Sequence, residues 1–218
     1  MLLALDTATP FVTVALHDGE QDAVVVELRS DQPMKHAEQL APLIDRALGR
    51  AGLVRQDLTA VAVGVGPGPF TGLRVGLVTA RTLAFALAVP VYGVCSLDVL
   101  AAEAVGTGAV DRDFVVATDA RRKEVYLASY DAGGARLDGP VVDRPAVLAE
   151  RLPEGMPVVG PGGELYPEEF PVRTGPMAPS AGWLARAVAE ELVELRDPDP
   201  MYLRRPDADT PGARKTVS

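Results

Sequence analysis

Two aspartates that follow apolar runs are the side chains of this sequence whose type and position could do chemistry. Asp6 follows the apolar residues 2–5, with Thr7 directly after it, and Asp119 follows the apolar residues 114–118. Two carboxylates that face one cleft could hold a metal–nucleotide complex. We therefore take Asp6, Thr7 and Asp119 as the candidate cofactor-binding residues. The alternative is that both aspartates only accept hydrogen bonds in turns at the ends of strands.

A glycine-rich segment, residues 64–76, lies between an apolar run and a helical pattern, where backbone N–H groups often bind phosphate. Its sequence, GVGPGPFTGLRVG, lacks the Gly-Lys-Ser/Thr of a Walker loop and does not fit the GxGxxG pattern. Pro67 and Pro69 carry no N–H, which removes two donors from any anion site. We interpret the segment as a rigid corner between a strand and a helix, with Thr71 as the helix cap. Phosphate binding stays open as the second interpretation.

Metal and nucleophile chemistry have few candidates in this sequence. The two histidines, His17 and His36, cannot form an HxxxH pair on one helix. The single cysteine, Cys95, excludes an internal disulfide and a cysteine-rich metal site. The sequence has no GxSxG motif, the usual place of a hydrolase serine. We therefore predict that this chain has no catalytic residue and no metal site.

The composition is that of an acidic globular chain. Its 218 residues are 48% hydrophobic and 23% charged, with a formal net charge of −9. Both halves are acidic, which argues against strong binding of nucleic acid by the chain itself, because contact with phosphates needs a basic face. The start of the chain has no basic region, so it does not resemble a secretory signal. The apolar residues 73–94 include Arg74, Arg81 and Pro90, so we predict a buried helix and strand in a cytoplasmic protein, not a membrane span.

The apolar periodicity alternates between strands and helices, which is typical of an α/β fold. A strand–Asp–strand–turn unit occurs twice with an offset of 113 residues, which aligns Asp6 with Asp119 and Asp18 with Asp131. We therefore predict two related lobes, residues 1–105 and 106–205, and a disordered tail at 206–218. The Pro/Gly-rich stretch 160–179 is predicted to be irregular. The predicted strands are 2–5, 12–16, 23–28, 61–65, 91–94, 114–118 and 125–130, and the predicted helices are 35–51, 72–88, 97–105 and 181–196.

Small residues recur at every fourth position of the helix predicted at 72–88. The row consists of Gly72, Gly76, Ala80, Ala84 and Ala88. Because such a row has no bulky side chains, another helix can approach its backbone closely. That helix is either the chain's own helix 35–51 or a helix of a second subunit, and the sequence favours neither.

The chain resembles the bacterial TsaB family in five segments. They read LALDTATPFVTVAL, KHAEQLAPLID, GVGPGPFTGLRVGLVTARTLAFALAVPVYGVCSLDVLA, DARRKEVYLASY and PMYLRRP. The resemblance implies two lobes of the actin and sugar-kinase type, a duplicated ribonuclease-H-like fold. It also implies a part in forming threonylcarbamoyladenosine beside the anticodon of tRNA.

The resemblance further implies an accessory subunit without catalysis. In the family this subunit pairs with TsaD, the metal-dependent subunit, and the ATPase TsaE joins the assembly. The complex uses ATP, whereas this chain is expected to bind no cofactor itself, to form a homodimer when alone, and to meet tRNA only through the complex. TsaD carries an HxxxH motif on the helix that corresponds to 35–51. Here His36 is followed four residues later by Leu40, which agrees with the loss of a metal site.

By analogy with the family, the helices 35–51 and 72–88 form the interface, both in the homodimer and with TsaD. The apolar face of the first helix and the small-residue row of the second supply the predicted contacts. The predicted interface residues are His36, Leu40, Leu43, Ile44, Ala47, Gly72, Leu73, Gly76, Leu77, Ala80 and Ala84.

Three alternative functions remain open at this stage. The first is an ATP-dependent phosphotransferase of the same fold that uses Asp6 and Asp119. The second is a glycoprotease-like metallopeptidase, which the missing histidine pair disfavours. The third is a homodimeric binding module with some other partner.

Overall fold

The structure, a computed structural model, describes residues 1–204 and contains two lobes, each built around one sheet. In chain order the first lobe's elements are β1 Leu2–Asp6, β2 Thr13–Asp18, β3 Ala23–Arg29, α1 His36–Ala51, a 3₁₀ turn Arg55–Asp57, β4 Ala60–Gly66, α2 Phe70–Leu87, β5 Val91–Cys95 and α3 Ser96–Gly106. They are followed by β6 Phe114–Asp119, β7 Val125–Tyr130, β8 Arg136–Asp143, α4 Pro145–Ala149, β9 Val158–Val159, α5 Pro161–Leu165, β10 Arg173–Thr174 and α6 Ala181–Ala189. The tail predicted at 206–218 lies outside the described residues.

The two sheets repeat one topology. Within residues 1–204 the strand orders are β3-β2-β1-β4-β5 and β8-β7-β6-β9-β10, with antiparallel pairs on one side and parallel pairs on the other. The repeat extends to single hydrogen bonds. Ala8 N donates to Asp6 Oδ1 at 2.7 Å, and Arg121 N, at the same offset of 113 residues, donates to Asp119 Oδ1 at 2.7 Å. The predicted duplicated α/β fold of the actin and sugar-kinase type is confirmed.

The first sheet buries its two faces against different helices. Because side chains alternate across a strand, Leu3 and Leu5 of β1 pack with α1 and α2 on one face. Ala4, on the opposite face, packs with Leu184 and Ala185 of α6. Helix α1 ends at Gly52, whose φ of 69° is the left-handed conformation that suits glycine after a helix.

Helix α2 starts earlier than predicted and without the predicted cap. It begins at Phe70, and Pro69 is its N-cap, with no side-chain hydrogen bond to the helix end. Thr71 therefore lies inside the first turn, and its prediction as the cap is wrong. A proline fits this boundary because its fixed φ and missing N–H cost nothing before the first turn of a helix. By length and composition alone α2 could cross a membrane, but one side of it packs on the first sheet.

Two helices pack across the predicted division at residue 105. Helix α6 comes from the second half of the chain and packs on β1, β2 and β3 of the first sheet. Helix α3 contributes Leu97, Leu100 and Ala104 to the core of the second sheet. Helix α3 also packs on β4 and β5 of the first sheet, so it lies between the two sheets. An apolar helix face predicts burial but not which sheet buries it, so chain order alone does not place α6.

Three other expectations are changed by the structure. Helix α6 is shorter than the predicted 181–196 and ends at Ala189. The stretch 160–179, predicted to be irregular, contains the short helix α5 and the short strand β10. Strand β8 was not predicted, because its apolar alternation is interrupted by Gly139-Pro140.

Candidate functional site

A cavity of about 430 Å³ lies in the cleft between the lobes. Its walls come from the loop after β1, the loop before α2, the start of α3, the turn after β6, and the segment around α5. Apolar groups and prolines supply much of the lining, and Arg29 and Arg121 supply the positive charge. Arg29 lies over the ring of Phe11, 4.1 Å from its centroid. The cleft is the position at which sequence reasoning expected paired carboxylates.

Asp6 does not reach this cleft, although it was predicted to face it. Its carboxylate is 1% exposed and accepts hydrogen bonds from Ser96 Oγ at 2.6 Å and from Ala8 N at 2.7 Å. A Cβ on Gly64 would overlap Asp6 Oδ2, so the backbone of β4 seals the carboxylate from that side. Burial raises the pKa of Asp6, and the two hydrogen bonds and the nearby His36 offset part of that rise. Asp6 is therefore a sealed structural carboxyl group, without access to a ligand.

Thr7 is used by the fold as well. It is fully buried, and its hydroxyl donates to Gly72 O at 2.9 Å, which ties the end of β1 to the first turn of α2. A Cβ on Gly72 would stand 2.6 Å from Thr7 O, and one on Gly76 would overlap Thr7 Oγ1. The two glycines thus allow α2 to approach β1 closely.

Asp119 is the one predicted cofactor residue that lines the cavity. Its Oδ1 accepts from Arg121 N at 2.7 Å, and its Oδ2 lies 3.3 Å from Arg121 Nη1. The turn that follows is held in an unusual backbone shape, with φ of 60°, 57° and 60° at Arg121, Arg122 and Lys123. L-residues adopt this left-handed region at a cost of about 1–2 kcal/mol each. The predicted pair of cleft carboxylates is therefore not formed, because Asp6 is sealed and Asp119 is paired with a cation.

The helix that carries a metal motif in TsaD does not fit a metal in this chain. His36 is buried, and its Nε2 lies 2.7 Å from the carbonyl oxygen of Thr9. Leu40, one turn later, is 1% exposed and part of the core. Among residues 1–204 no group of three or more His, Cys, Asp or Glu side chains is arranged to hold a metal ion. One histidine bonded to the backbone and a core leucine do not supply the ligands of a two-histidine site.

The predicted interface residues are buried within this chain. None of them is exposed, because they form the faces of α1 and α2 that pack on each other and on the first sheet. A side chain already buried in its own chain has no surface left to cover a partner. The buried residues of this prediction are His36, Leu40, Leu43, Ile44, Ala47, Gly72, Leu73, Gly76, Leu77, Ala80 and Ala84.

The opposite side of α2 exposes large apolar side chains that the sequence analysis missed. Phe85 is 90% exposed and Val78 is 62% exposed. The two are seven residues apart, a spacing that places them on one face of a helix. Nearer the start of the helix, Phe70 stacks on Tyr202 with ring centroids 5.1 Å apart, and Arg74 Nε donates to Tyr202 Oη at 3.1 Å. The seven-residue spacing was visible in the sequence, but the small-residue row drew attention to the other face.

The fold and the site together define a class of protein: a two-lobed chain of the actin and sugar-kinase type in which the carboxylate after the first strand, Asp6, is buried and does not line the cleft. Comparisons with known proteins narrow this class. Residues 31–171 match the family model described as TsaD, tRNA N6-adenosine threonylcarbamoyltransferase. An uncharacterized protein of Mycobacterium tuberculosis is 41% identical over 95% of this chain and 93% of its own length.

Two named relatives identify the family. The tRNA threonylcarbamoyladenosine biosynthesis protein TsaB of Escherichia coli is 33% identical over 77% of this chain and 74% of its own length. The solved structure of YeaZ from Pseudomonas aeruginosa is 32% identical, with a TM-score of 0.74 over 93% of this chain and 99% of that one. The chain belongs to the TsaB family and, through the matched model, to the wider group of TsaD-type domains.

Proposed function

We propose that this chain is a non-catalytic subunit of the cytoplasmic assembly that forms threonylcarbamoyladenosine in tRNA. In this proposal it pairs with TsaD, TsaE joins the assembly and ATP is consumed by the complex. The chain contacts tRNA only through its partners. The observation that carries the proposal is the sealed Asp6 carboxylate in a chain whose named relatives are threonylcarbamoyladenosine biosynthesis proteins.

The absence of catalysis is supported by what each candidate side chain already binds. A phosphotransferase that uses Asp6 and Asp119 would need both carboxylates in the cleft. Asp6 is instead buried against Gly64 and bonded to Ser96. A metallopeptidase would need a second histidine one turn after His36, where Leu40 lies in the core. The residues fit neither alternative.

The exposed face of α2 supports the proposal that the chain works by docking to a partner. Phe85 and Val78 present apolar surface to solvent, and Arg74 and Arg81 lie on the same exposed side. A stable interface buries about 1,200–2,000 Å² in total, with a few aromatic and arginine side chains at its centre. We propose that this face, and not the buried row of small residues, binds TsaD and in its absence a second copy of the chain.

The decisive experiment combines a partner assay with a nucleoside assay. In cells depleted of the native chain, we expect Phe85→Glu together with Val78→Glu to abolish co-purification with TsaD and to reduce threonylcarbamoyladenosine in digested tRNA by more than about tenfold, since an unpaired charge in an interface costs several kcal/mol. Leu137→Glu is the matched control, because Leu137 is 60% exposed but lies on β8 of the other lobe. It should behave as wild type.

The outcomes separate the parts of the proposal. If depletion leaves threonylcarbamoyladenosine unchanged, the function is wrong. If depletion removes the nucleoside but the double variant restores it and still retains TsaD, only the docking face is wrong. ATP hydrolysis by the purified chain that disappears in Asp6→Ala would instead support the phosphotransferase.

A further inference from the structure

Glu103 is a carboxylate in an unusual position, on the side of α3 that faces α6. It lies one turn after Val99, which packs with Ala181, Leu184 and Ala185 of α6, so residues 99 and 103 share that face. The side chain is half-buried, and its buried Oε2 atom has no hydrogen-bond partner. An unpaired buried carboxylate oxygen is costly, and protonation is the simplest way to lower that cost.

A second carboxylate, Glu27 of β3, is fixed nearby at the start of α6. Its Oε1 accepts from Ser180 Oγ at 2.7 Å and from Gly182 N at 3.1 Å. A Cβ on Gly182 would stand 2.6 Å from Glu27 Oε2, so the glycine lets the carboxylate lie against the helix end. Negative charge is favoured at the N-terminus of a helix. These contacts fix the position of the Glu27 side chain at the start of α6.

The elements that pack against α3 bring no unpaired cation to Glu103. Arg136 of β8 faces α3 but is paired with Asp98 and with Glu194. Strands β4, β5, β7 and β9 carry no Asp, Glu, Lys, Arg or His. On α6, Arg186 is paired with Glu190 at 2.5 Å, and at the end of β6, Asp119 is paired with Arg121. Burial, and to a smaller extent the charge of Glu27, raises the pKa of Glu103 from 4.5 to about 7.

We propose that Glu103 is a proton-operated lock between the lobes, which fastens α3 to the Glu27-capped start of α6 when it is protonated and loosens that contact when it is not. The proton is exchanged with solvent water, and no covalent bond changes. Because the pKa of this acid is higher in the folded state, the stabilising effect is complete below the unfolded value of 4.5. It is lost as pH rises from there through about 7. The lock is a property of the chain alone and does not depend on the proposed function.

Glu103→Gln should mimic the protonated form, and thermal unfolding of the purified chain tests it. We expect the Tm of the variant to exceed that of wild type by a margin that grows between pH 5 and pH 7.5 and then levels off, reaching at least about 3 °C at pH 8. Glu168→Gln, which removes an exposed carboxylate from the loop before Phe170, should give a margin near zero at every pH. A margin that does not change with pH, or a variant less stable than wild type at pH 8, would overturn the proposal.

Amide hydrogen exchange tests whether the stabilising effect of the Glu103 proton acts on the first turn of α6. The amides of Trp183 and Leu184 bond to Ser180 in the first turn of α6, so they report the contact that the lock controls. Wild type and Glu103→Gln are compared at the same pH to cancel the intrinsic pH dependence of exchange. We expect equal rates at pH 5 and exchange about tenfold faster in wild type at pH 8, the effect of one unit of raised pKa. Equal rates at both pH values would overturn the assignment to α6.

Discussion

At the scale of single residues, glycines provide the space in which two polar side chains of this protein are buried. Gly64 in β4 leaves room for the Asp6 carboxylate, and Gly72 and Gly76 in α2 leave room for Thr7. The glycine-rich segment at residues 64–76, whose spacing first suggested phosphate binding, thus serves close packing of the fold. The absence of a side chain at Gly64 is what allows Asp6 to be buried with both oxygens bonded.

Gly64→Ala tests this account. The added Cβ would overlap Asp6 Oδ2, so we expect a loss of about 2–3 kcal/mol in the free energy of unfolding. Urea denaturation measures it. Gly49→Ala is the matched control, because that position in α1 has open space around it and should gain about 0.5–1 kcal/mol from alanine's helix propensity. In an Asp6→Ala background the cost of Gly64→Ala should shrink, and an unchanged cost would contradict the contact.

At the scale of elements, α2 has one buried face and one exposed face. One face packs on the first sheet through small residues and leucines, and the other exposes Phe85 and Val78. The row of small residues allowed two interpretations, close packing within the chain or with a second subunit, and the structure supports packing within the chain. Four members of that row, Gly72, Gly76, Ala80 and Ala84, are buried, so a change there disturbs folding before it can disturb binding, whereas Ala88 is exposed at the end of the helix.

An arginine introduced on the buried face of α2 should destabilise the protein, whereas an arginine introduced on the exposed face should not. Ala80→Arg places an unpaired charge in the core, so we expect a loss of more than about 3 kcal/mol in unfolding free energy, or failure to fold. Phe85→Arg replaces a side chain that is 90% exposed, so its unfolding free energy should stay within about 0.5 kcal/mol of wild type. The proposed docking face further predicts, by sedimentation, a dimer for wild type and a monomer for Phe85→Arg. A stable Ala80→Arg chain, or an unfolded Phe85→Arg chain, would reverse the assignment of the faces.

At the scale of the whole molecule, the sequence predicted the duplicated fold better than it predicted which sheet each helix packs on. The offset that aligns Asp6 with Asp119 revealed the duplication, because a repeated fold repeats its turn chemistry. The packing of α6 on the first sheet and of α3 between both sheets could not be predicted, since apolar periodicity shows which face is buried and not what covers it. The same limit applies to the predicted interface residues: the face around Leu40 and Ala80 is apolar and lies in the core.

A polar network adds a further tie between the lobes. Asp98 of α3 is buried, accepts from Tyr130 Oη at 2.8 Å, and lies 3.6 Å from Arg136 Nη1 of β8. Arg136 Nη2 also donates to Glu194 at 2.8 Å, in the segment after α6. That segment pairs with Gly93 at the edge of the first sheet through the backbone of Arg196. Arg136 therefore joins α3, the second sheet and the C-terminal segment.

Arg136→Met should weaken this tie in a pH-dependent way. Burial raises the pKa of Asp98 and Arg136 lowers it, so without the arginine the carboxyl group is charged in the folded state only at higher pH. A buried charge that has lost its partner costs about 3 kcal/mol, so we expect a loss of this size at pH 8. The loss should become smaller as the pH falls, because protonation of Asp98 removes the unpaired charge. Arg196→Met is the control, because Arg196 binds the same Glu194 at 2.6 Å but is more exposed, and an exposed pair is worth less than about 1 kcal/mol. Equal losses in the two variants, or a loss from Arg136→Met that does not change with pH, would mean that the buried Asp98 does not depend on this arginine.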